Sequence, residues 1–458
     1  MNGEPGVASA RPWAEATVRE ALGVAPVTGR APLLFSEIST DTRTLRPGAL
    51  FVALIGERFD GHEHLNAAAG AGAVAAVVER GTAPVAGLVL LEVDDPLRAY
   101  GLLARARRRR IPGPVIGVTG TNGKTSTKEM LAAVIGTRWR THATRANLNN
   151  LVGVPATILE APTDTEALVV EAGANLPGEI ARCREIIEPS AAVITNAVAG
   201  HLEGFGSLAG VLAEKLALVR DVPLAVVGTR PPELAAGARR LAHRVLTAGL
   251  EAADRIPDSV SLNEHGRATV AVDGRRFTLP YPGRHLAENA MLAWTVGREL
   301  GLDPAAAAAV LERFTLPGGR SELRQEGTLT ILNDCYNANP DSFRAAIATA
   351  AELRQGRRLV FVAGTMRELG AESSRLHAEV ARALVNLGPD LLAAVGEFVP
   401  AVAPYAAQLG DRLVSAPDAP AVGPLVAARL QGDELVVLKA SRGVALERIL
   451  PFLLSKAR

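Results

Sequence analysis

The chain is short of lysine. Only Lys124, Lys128, Lys215, Lys439 and Lys456 occur among its 49 basic residues, and all the others are arginine. Such a chain uses guanidinium wherever a positive charge suffices. A retained lysine therefore suggests a need for a compact ammonium, or for an amine that can lose its proton. Cysteine is scarcer still. Cys183 and Cys335 lie far apart with no metal-ligand spacing, which excludes a disulfide framework and fits a reducing compartment. No apolar run reaches the roughly 18 residues needed to span a bilayer. The N-terminal stretch carries Glu4, Arg11, Glu15 and Glu20 and lacks the apolar core of a secretion signal, so a cytoplasmic location is expected. A net charge of +1 gives no case for a nucleic-acid or membrane surface. The run Arg107-Arg108-Arg109-Arg110 is basic, but it ends a helical stretch before Pro112-Gly113 and is expected to be a solvated helix end and linker.

What is present is an ordinary globular composition, 48% hydrophobic and 21% charged, in a length that suggests about three domains. One stretch stands out, from Pro114 to Lys128. An apolar strand, Val115-Ile116-Gly117-Val118, runs into Gly120-Thr121-Asn122-Gly123 and a helix that opens Lys124-Thr125-Ser126. Strand, glycine turn and hydroxyl-bearing helix start form a phosphate-binding loop. Its backbone amides face phosphate oxygens, the lysine adds a point charge, and the threonine hydroxyl is suited to Mg²⁺. The first glycine of the usual pattern is replaced by Val118, leaving a G-x-x-G-K-T variant. An incidental lysine after a glycine turn is the plain alternative; the preceding strand and the Gly-Lys-Thr within it favour a nucleoside triphosphate.

Strands alternate with helices along most of the chain, which predicts α/β domains with mostly parallel sheets. Three domains are expected: a small α/β domain over 1–111, a phosphate-loop domain over 112–317, and a Rossmann-like domain over 318–458. Breaks at Pro112-Gly113-Pro114 and Leu316-Pro317-Gly318-Gly319 mark the boundaries. The polar residues of interest fall just past strand ends, where open α/β sheets bind ligands. Glu171 ends the apolar run Leu168-Val169-Val170 and suits a Mg²⁺ ligand. His201, flanked by Gly200 and Gly204, suits a structural hydrogen bond or a metal ligand equally, while Lys215 on a helical stretch is more often a solvated lysine when met singly. Asn147, Asn149 and Asn150 suit a peptide-like ligand or an ordinary turn, and Asp41-Thr42-Arg43 suits an anion or a solvated loop. Asp334-Cys335-Tyr336-Asn337-Ala338-Asn339-Pro340 and Lys439-Ala440-Ser441-Arg442 end two later strands.

Taken together these strings resemble the Mur ligases, the ATP-dependent amide-forming enzymes of peptidoglycan precursor synthesis. The resemblance runs from Thr40-Asp41-Thr42-Arg43 through the phosphate loop to Lys439-x-Ser441-Arg442. Asn147-Leu148-Asn149-Asn150 and His201-Leu202-Glu203-Gly204-Phe205-Gly206-Ser207 point to the branch that joins D-alanyl-D-alanine to UDP-N-acetylmuramoyl-tripeptide. The resemblance implies ATP, two Mg²⁺ ions, phosphorylation of the tripeptide carboxylate, and attack by the dipeptide amine on the acyl phosphate. Carried over residue by residue, Gly120, Thr121, Asn122, Gly123, Lys124, Thr125 and Ser126 hold ATP, with Asn289 and Asp334 on the nucleoside. Thr125, Glu171, His201 and a carbamylated Lys215 hold metal, and Arg320 is the hinge arginine near the phosphates. Asp41, Thr42, Arg43, Asn147, Asn149, Asn150, Asn337, Asn339, Lys439, Ser441 and Arg442 bind substrate. Small-molecule partners and a monomer are implied. One departure is Thr365, where the family usually has aspartate, although Glu368 and Leu369 still match. A sister ligase or a non-catalytic nucleotide switch are the alternatives. A dehydrogenase is excluded because no G-x-G-x-x-G follows the first strand of the third domain.

Overall fold

A computed structural model describes residues 13–26 and 28–455. The expectations that involved Glu4, Arg11 and Lys456 lie outside those residues. The chain resolves into two compact units. The first comprises residues through 117 with 139–173 and 179–190; the second comprises 118–138, 174–178 and 191 onward.

In the first unit, strands Ile38–Ser39, Leu50–Val52, Ala75–Glu79 and Val89–Val93 form a four-stranded, all-parallel sheet. Alternate residues serve two cores, as a sheet covered on both faces requires. Leu50, Val52, Val77 and Leu91 pack with Trp13, Phe35, Tyr100 and Leu103, while Phe51, Ala53, Ala76 and Val78 pack with Leu65. Helix Pro96–Arg108 closes one face, and Asp95 caps its first turn by accepting from the amides of Leu97 and Arg98.

The arginine run at the end of that helix is solvated only in part: Arg109 and Arg110 are exposed, as expected, but Arg107 and Arg108 turn inward. Arg107 is buried and donates to the carbonyls of Ala161 and Pro162. Arg108 donates to those of Ile187 and Glu188. Arg105 and Arg109 share the Glu188 carboxylate, at 2.6 Å each. The guanidinium of Arg110 lies 5.1 Å from the Trp13 ring centroid. Two of these cations, Arg107 and Arg108, satisfy carbonyls left open after helices Gly153–Leu159 and Glu179–Ile187, and two more pair with Glu188, which ties residues 139–173 and 179–190 to the first unit. A linker at this point would leave those carbonyls without donors.

The second unit begins its parallel ladder with strands Ala191–Ile194, Leu224–Val227 and Val245–Thr247. Strands Ser259–Leu262, Arg267–Val272 and Arg275–Pro282 depart from the parallel expectation and form a small antiparallel sheet. The reason is local. Asp273-Gly274, both at positive φ, makes a two-residue hairpin that leaves no room for a crossover helix. The last sheet runs Glu322–Glu326, Leu329–Asp334, Leu435–Lys439, Leu359–Gly364, Leu391–Val395 and Leu413–Ala416, parallel except for its first, antiparallel edge strand. Its strand order reverses beside Leu435–Lys439. Asp334, Lys439 and Thr365 thus stand together at the carboxyl ends, where such sheets take ligands.

Candidate active site

The phosphate loop is shaped by its neighbour, the end of strand Ala191–Ile194. The amide of Thr195 donates to the Thr119 carbonyl (3.0 Å) and its hydroxyl to the Asn122 carbonyl (2.5 Å). Asn196 takes the amide of Thr121 on its main-chain oxygen and that of Asn122 on its side-chain oxygen, each at 3.0 Å. Gly120, at φ 144°, sits so close to Thr195 that a Cβ there would lie 1.9 Å from the hydroxyl. Gly123, at φ 78°, caps helix Lys124–Ile135 with the Asn289 side chain against it, 2.5 Å from where a Cβ would stand. Only glycine fits either position. Lys124 folds its ammonium back over the loop onto the carbonyls of Gly120 (2.8 Å) and Thr121 (3.1 Å). Thr125 and Ser126 are buried at the helix start. The Lys124 ammonium and the N-terminus of helix Lys124–Ile135 stand at the same loop, an arrangement suited to an anion.

His201 and Lys215 meet around one aromatic ring. Phe205 lies edge-on to His201 at 6.4 Å between centroids, and the buried Lys215 ammonium is 5.3 Å from the Phe205 centroid. Lys215 sits near the end of helix Leu208–Leu216, which Ser207 caps. His201 takes a left-handed backbone conformation, φ 54°. Its Nδ1 lies 2.6 Å from Oε2 of Glu368, yet that buried nitrogen completes no directed hydrogen bond. The contact holds the Glu368 carboxyl below its usual range although burial opposes this, and the Lys124 charge helps. Among the described residues no three His, Cys, Asp or Glu side chains gather into a metal cage. Mg²⁺ usually takes one or two protein ligands and completes its octahedron with phosphate and water. The His201 ring, with the Glu368 carboxylate beside Nδ1, fits one such ligand through its other nitrogen.

Later parts of the second unit bring further residues to this region. Asn122 and Asn339 exchange side-chain amide bonds at 3.1 and 2.7 Å. Asn339 also caps helix Pro340–Arg354 through Ser342. Arg230 bridges Asp341 (2.9 Å) and Glu288 (3.0 Å). Asp334 accepts from the Ser321 amide (3.0 Å) and pairs with Lys439 (2.6 Å), whose ammonium also reaches the Asn337 carbonyl. His285 lies 3.4 Å from the Ser321 hydroxyl, and burial pulls its pKa down. Arg320 stacks on Tyr336 at 3.7 Å, with its buried Nε left without a partner. Arg442 lies 5.9 Å from the same ring and pairs with Glu447. Ser441 takes the Arg367 amide on its hydroxyl. Thr365 accepts from the Glu397 amide (3.0 Å), a local bond that an aspartate at this position could also accept.

In the first unit, Asn149 donates to Oε1 of Glu171 (2.8 Å) and so fixes that carboxylate, whose own amide is taken by Thr144. Asn150 accepts from the amides of Val152 and Gly153, at the start of helix Gly153–Leu159, while Asn147 is exposed. Asp41 grips Arg43 through both oxygens, and that contact lowers its pKa to about 2; Thr42 lies between them, half-buried. Thr195, Asn196, Arg230, Glu288, Asp341 and Glu368 were not among the site residues expected from sequence. Thr195 and Asn196 carried a signal, since they end the strand after Glu171; the others become neighbours only through long-range folding.

Against this geometry, three family descriptions match in order. They are the Mur ligase family catalytic domain over residues 35–108, the Mur ligase middle domain over 118–297, and the Mur ligase glutamate ligase domain over 319–442. The chain is 34% identical over 420 residues to the UDP-N-acetylmuramoyl-tripeptide–D-alanyl-D-alanine ligase of Bacillus subtilis, covering 90% of this chain and 92% of that one. It superposes on MurF from Acinetobacter baumannii with TM-score 0.87 and 29% identity over 98% and 100% of the two chains. MurF ligase from Thermotoga maritima, solved with ADP, gives 0.81 and 28% over 92% and 97%. Phosphate loop, paired His201 and Lys215, and matches along nearly the whole length agree, and the chain belongs to the Mur ligase family.

Proposed function

We infer that this chain is an ATP-dependent carbon–nitrogen ligase that joins D-alanyl-D-alanine to UDP-N-acetylmuramoyl-tripeptide, giving the pentapeptide precursor, ADP and phosphate. The observation that carries this reading is that near-full-length relatives are named for this one ligase. The domains divide near residues 111 and 317, and the enzyme works as a cytoplasmic monomer. Among the described residues no helix is long and apolar enough to cross a membrane.

A carboxylate is a poor acyl donor. Transfer of the γ-phosphoryl group to it breaks the terminal phosphoanhydride and forms an acyl phosphate, whose phosphate is a good leaving group. The dipeptide amine then attacks the carbonyl carbon, loses a proton, and the tetrahedral intermediate expels phosphate. The phosphate loop orients the γ-phosphoryl group, with Lys124 leaving its carbonyl partners to neutralise the developing charge. Asn289, Asp334 and Arg320 hold the nucleotide, and Ser126 lies at the helix start beside it. Asp41, Thr42 and Arg43 take the UDP portion, Asn147, Asn149 and Asn150 the peptide, and Asn337, Asn339, Lys439, Ser441 and Arg442 line the third domain's share of the site. Thr125, Glu171 and His201 are the side chains suited to Mg²⁺, which would draw charge off the phosphoryl oxygens. Lys215 is the candidate for carbamylation: its neutral amine attacks CO₂, the new N–C bond replaces one C–O π bond, and the released proton goes to water. A carbamate there adds an oxygen ligand that arginine could not provide.

The test is phosphate release from ATP with Mg²⁺, tripeptide nucleotide and D-alanyl-D-alanine, omitting each in turn. Release that needs every component, with product heavier by one dipeptide less water, is expected. Turnover with a single amino acid in place of the dipeptide would make the chain a sister ligase instead.

A further inference from the structure

His201 begins a segment that packs against residues 366–370 of the proposed third domain. Next to it, Leu202 packs against the third-domain core that contains Met366, Leu369 and Leu376. The amide of Glu203 donates to the Glu368 carbonyl at 3.2 Å, and Gly370 presses on Glu203 so closely that a Cβ would lie 3.3 Å from its Cα. The Glu368 side chain then reaches Nδ1 of His201 at 2.6 Å. Glu368 itself is held at φ 65°, a costly conformation for a residue with a side chain, and His201 at φ 54° is another. Two strained residues facing each other across a domain contact show that the surroundings fix both. A carboxylate on one imidazole nitrogen settles the tautomer and strengthens the other nitrogen as a ligand.

We propose that Glu368 is a positioning residue for His201: by occupying the Nδ1 side of the ring when the 366–370 loop seats on helix Leu202–Phe205, it leaves Nε2 as the nitrogen offered to a divalent cation. The cation site is thus complete only while the third domain is seated, which ties metal binding to closure. This rests on the metal reading of His201 given above.

The test uses the full-length enzyme labelled with ¹⁵N-histidine, in the presence of ADP, with Zn²⁺ as probe because it binds imidazole nitrogen well and shifts the nitrogen it touches. In the wild type, His201 should carry its proton on Nδ1, and Zn²⁺ should move the Nε2 resonance. Glu368→Gln, nearly the same shape, should lose the tautomer preference, need about 10–100-fold more Zn²⁺ for the same shift, and lower kcat while leaving KM for the tripeptide nucleotide close to wild type. Glu368→Asp should restore part of the Zn²⁺ response. Leu202→Ala, which loosens the seat without touching either charge, should weaken Zn²⁺ binding in the same direction, and it serves if Glu368→Gln does not fold. An unchanged tautomer and Zn²⁺ response in Glu368→Gln would overturn the inference while leaving the metal reading intact. Failure of Zn²⁺ to move His201 in the wild type would remove both.

Discussion

A buried lysine is expensive unless its charge is used or shed. Lys215 is 1% exposed and faces an aromatic ring in a chain that otherwise prefers arginine. If it is carbamylated, Lys215→Ala should lose activity by orders of magnitude and regain part of it with millimolar formate or acetate, whose oxygens replace the carbamate. Lys215→Arg should stay inactive under the same additions, because guanidinium keeps its charge and fills the space. Steady-state rates with and without carboxylate decide this, and a fully active Lys215→Ala would end the carbamate reading. Thr365 allows a gentler test. Its hydroxyl accepts the amide of Glu397 at the start of helix Phe398–Val402. Thr365→Ala should cost about 1 kcal/mol of stability in urea unfolding, and Thr365→Asp should cost little, since its carboxylate can take the same amide.

At the scale of elements, the helix Pro96–Arg108 shows what local reading captures and what it misses. Its cap, its proline start and its amphipathic run are written in adjacent residues, as is the strand–glycine–lysine turn of the phosphate loop, so both could be read from sequence. The destination of its arginines was not legible. Ala161, Pro162, Ile187 and Glu188 come to it from 54 to 83 residues away, and nothing in the spacing of four arginines tells a buried clamp from a solvated end. The same limit hid Arg230 and Asp341 from the candidate site, whereas Lys215 could be singled out because scarcity is a property of composition, not of contacts. The clamp has a measurable consequence. Arg107→Ala leaves two carbonyls without their donor and opens a gap, and should destabilise by about 1–3 kcal/mol. Arg80→Ala, which loses only an exposed pair with Asp94, should change stability by about 0–1 kcal/mol. Equal urea midpoints for the two variants would show that the clamp does not bear on stability.

For the molecule as a whole, acid should act on the first compact unit before the second. Burial opposes ionisation of Glu15, but bonds from Arg30, the Leu33 amide and Arg19 outweigh it and bring the carboxyl down to about 2. Arg109 does most to bring Glu188 to about 2, with Arg105 assisting against burial. Both lie in the first unit. Each pKa is depressed on folding, so the unfolded chain binds protons first, and the stabilisation is present above the ordinary value near 4.5 and is lost as pH falls toward 2. In the second unit, Glu368, Glu322 and Asp254 are lowered as well. The tryptophans allow the units to be watched separately, since Trp13 and Trp139 belong to the first and Trp294 to the second. With Trp294→Phe reporting the first unit, and Trp13→Phe/Trp139→Phe the second, fluorescence between pH 6 and pH 2 should show the first unit's transition at the higher pH. Glu188→Gln should narrow the gap between the two, because a side chain that cannot be protonated removes one of the two groups that drive it. Coincident transitions in both reporters, unmoved by Glu188→Gln, would mean that these carboxylates do not set the order and that the two units unfold as one cooperative body.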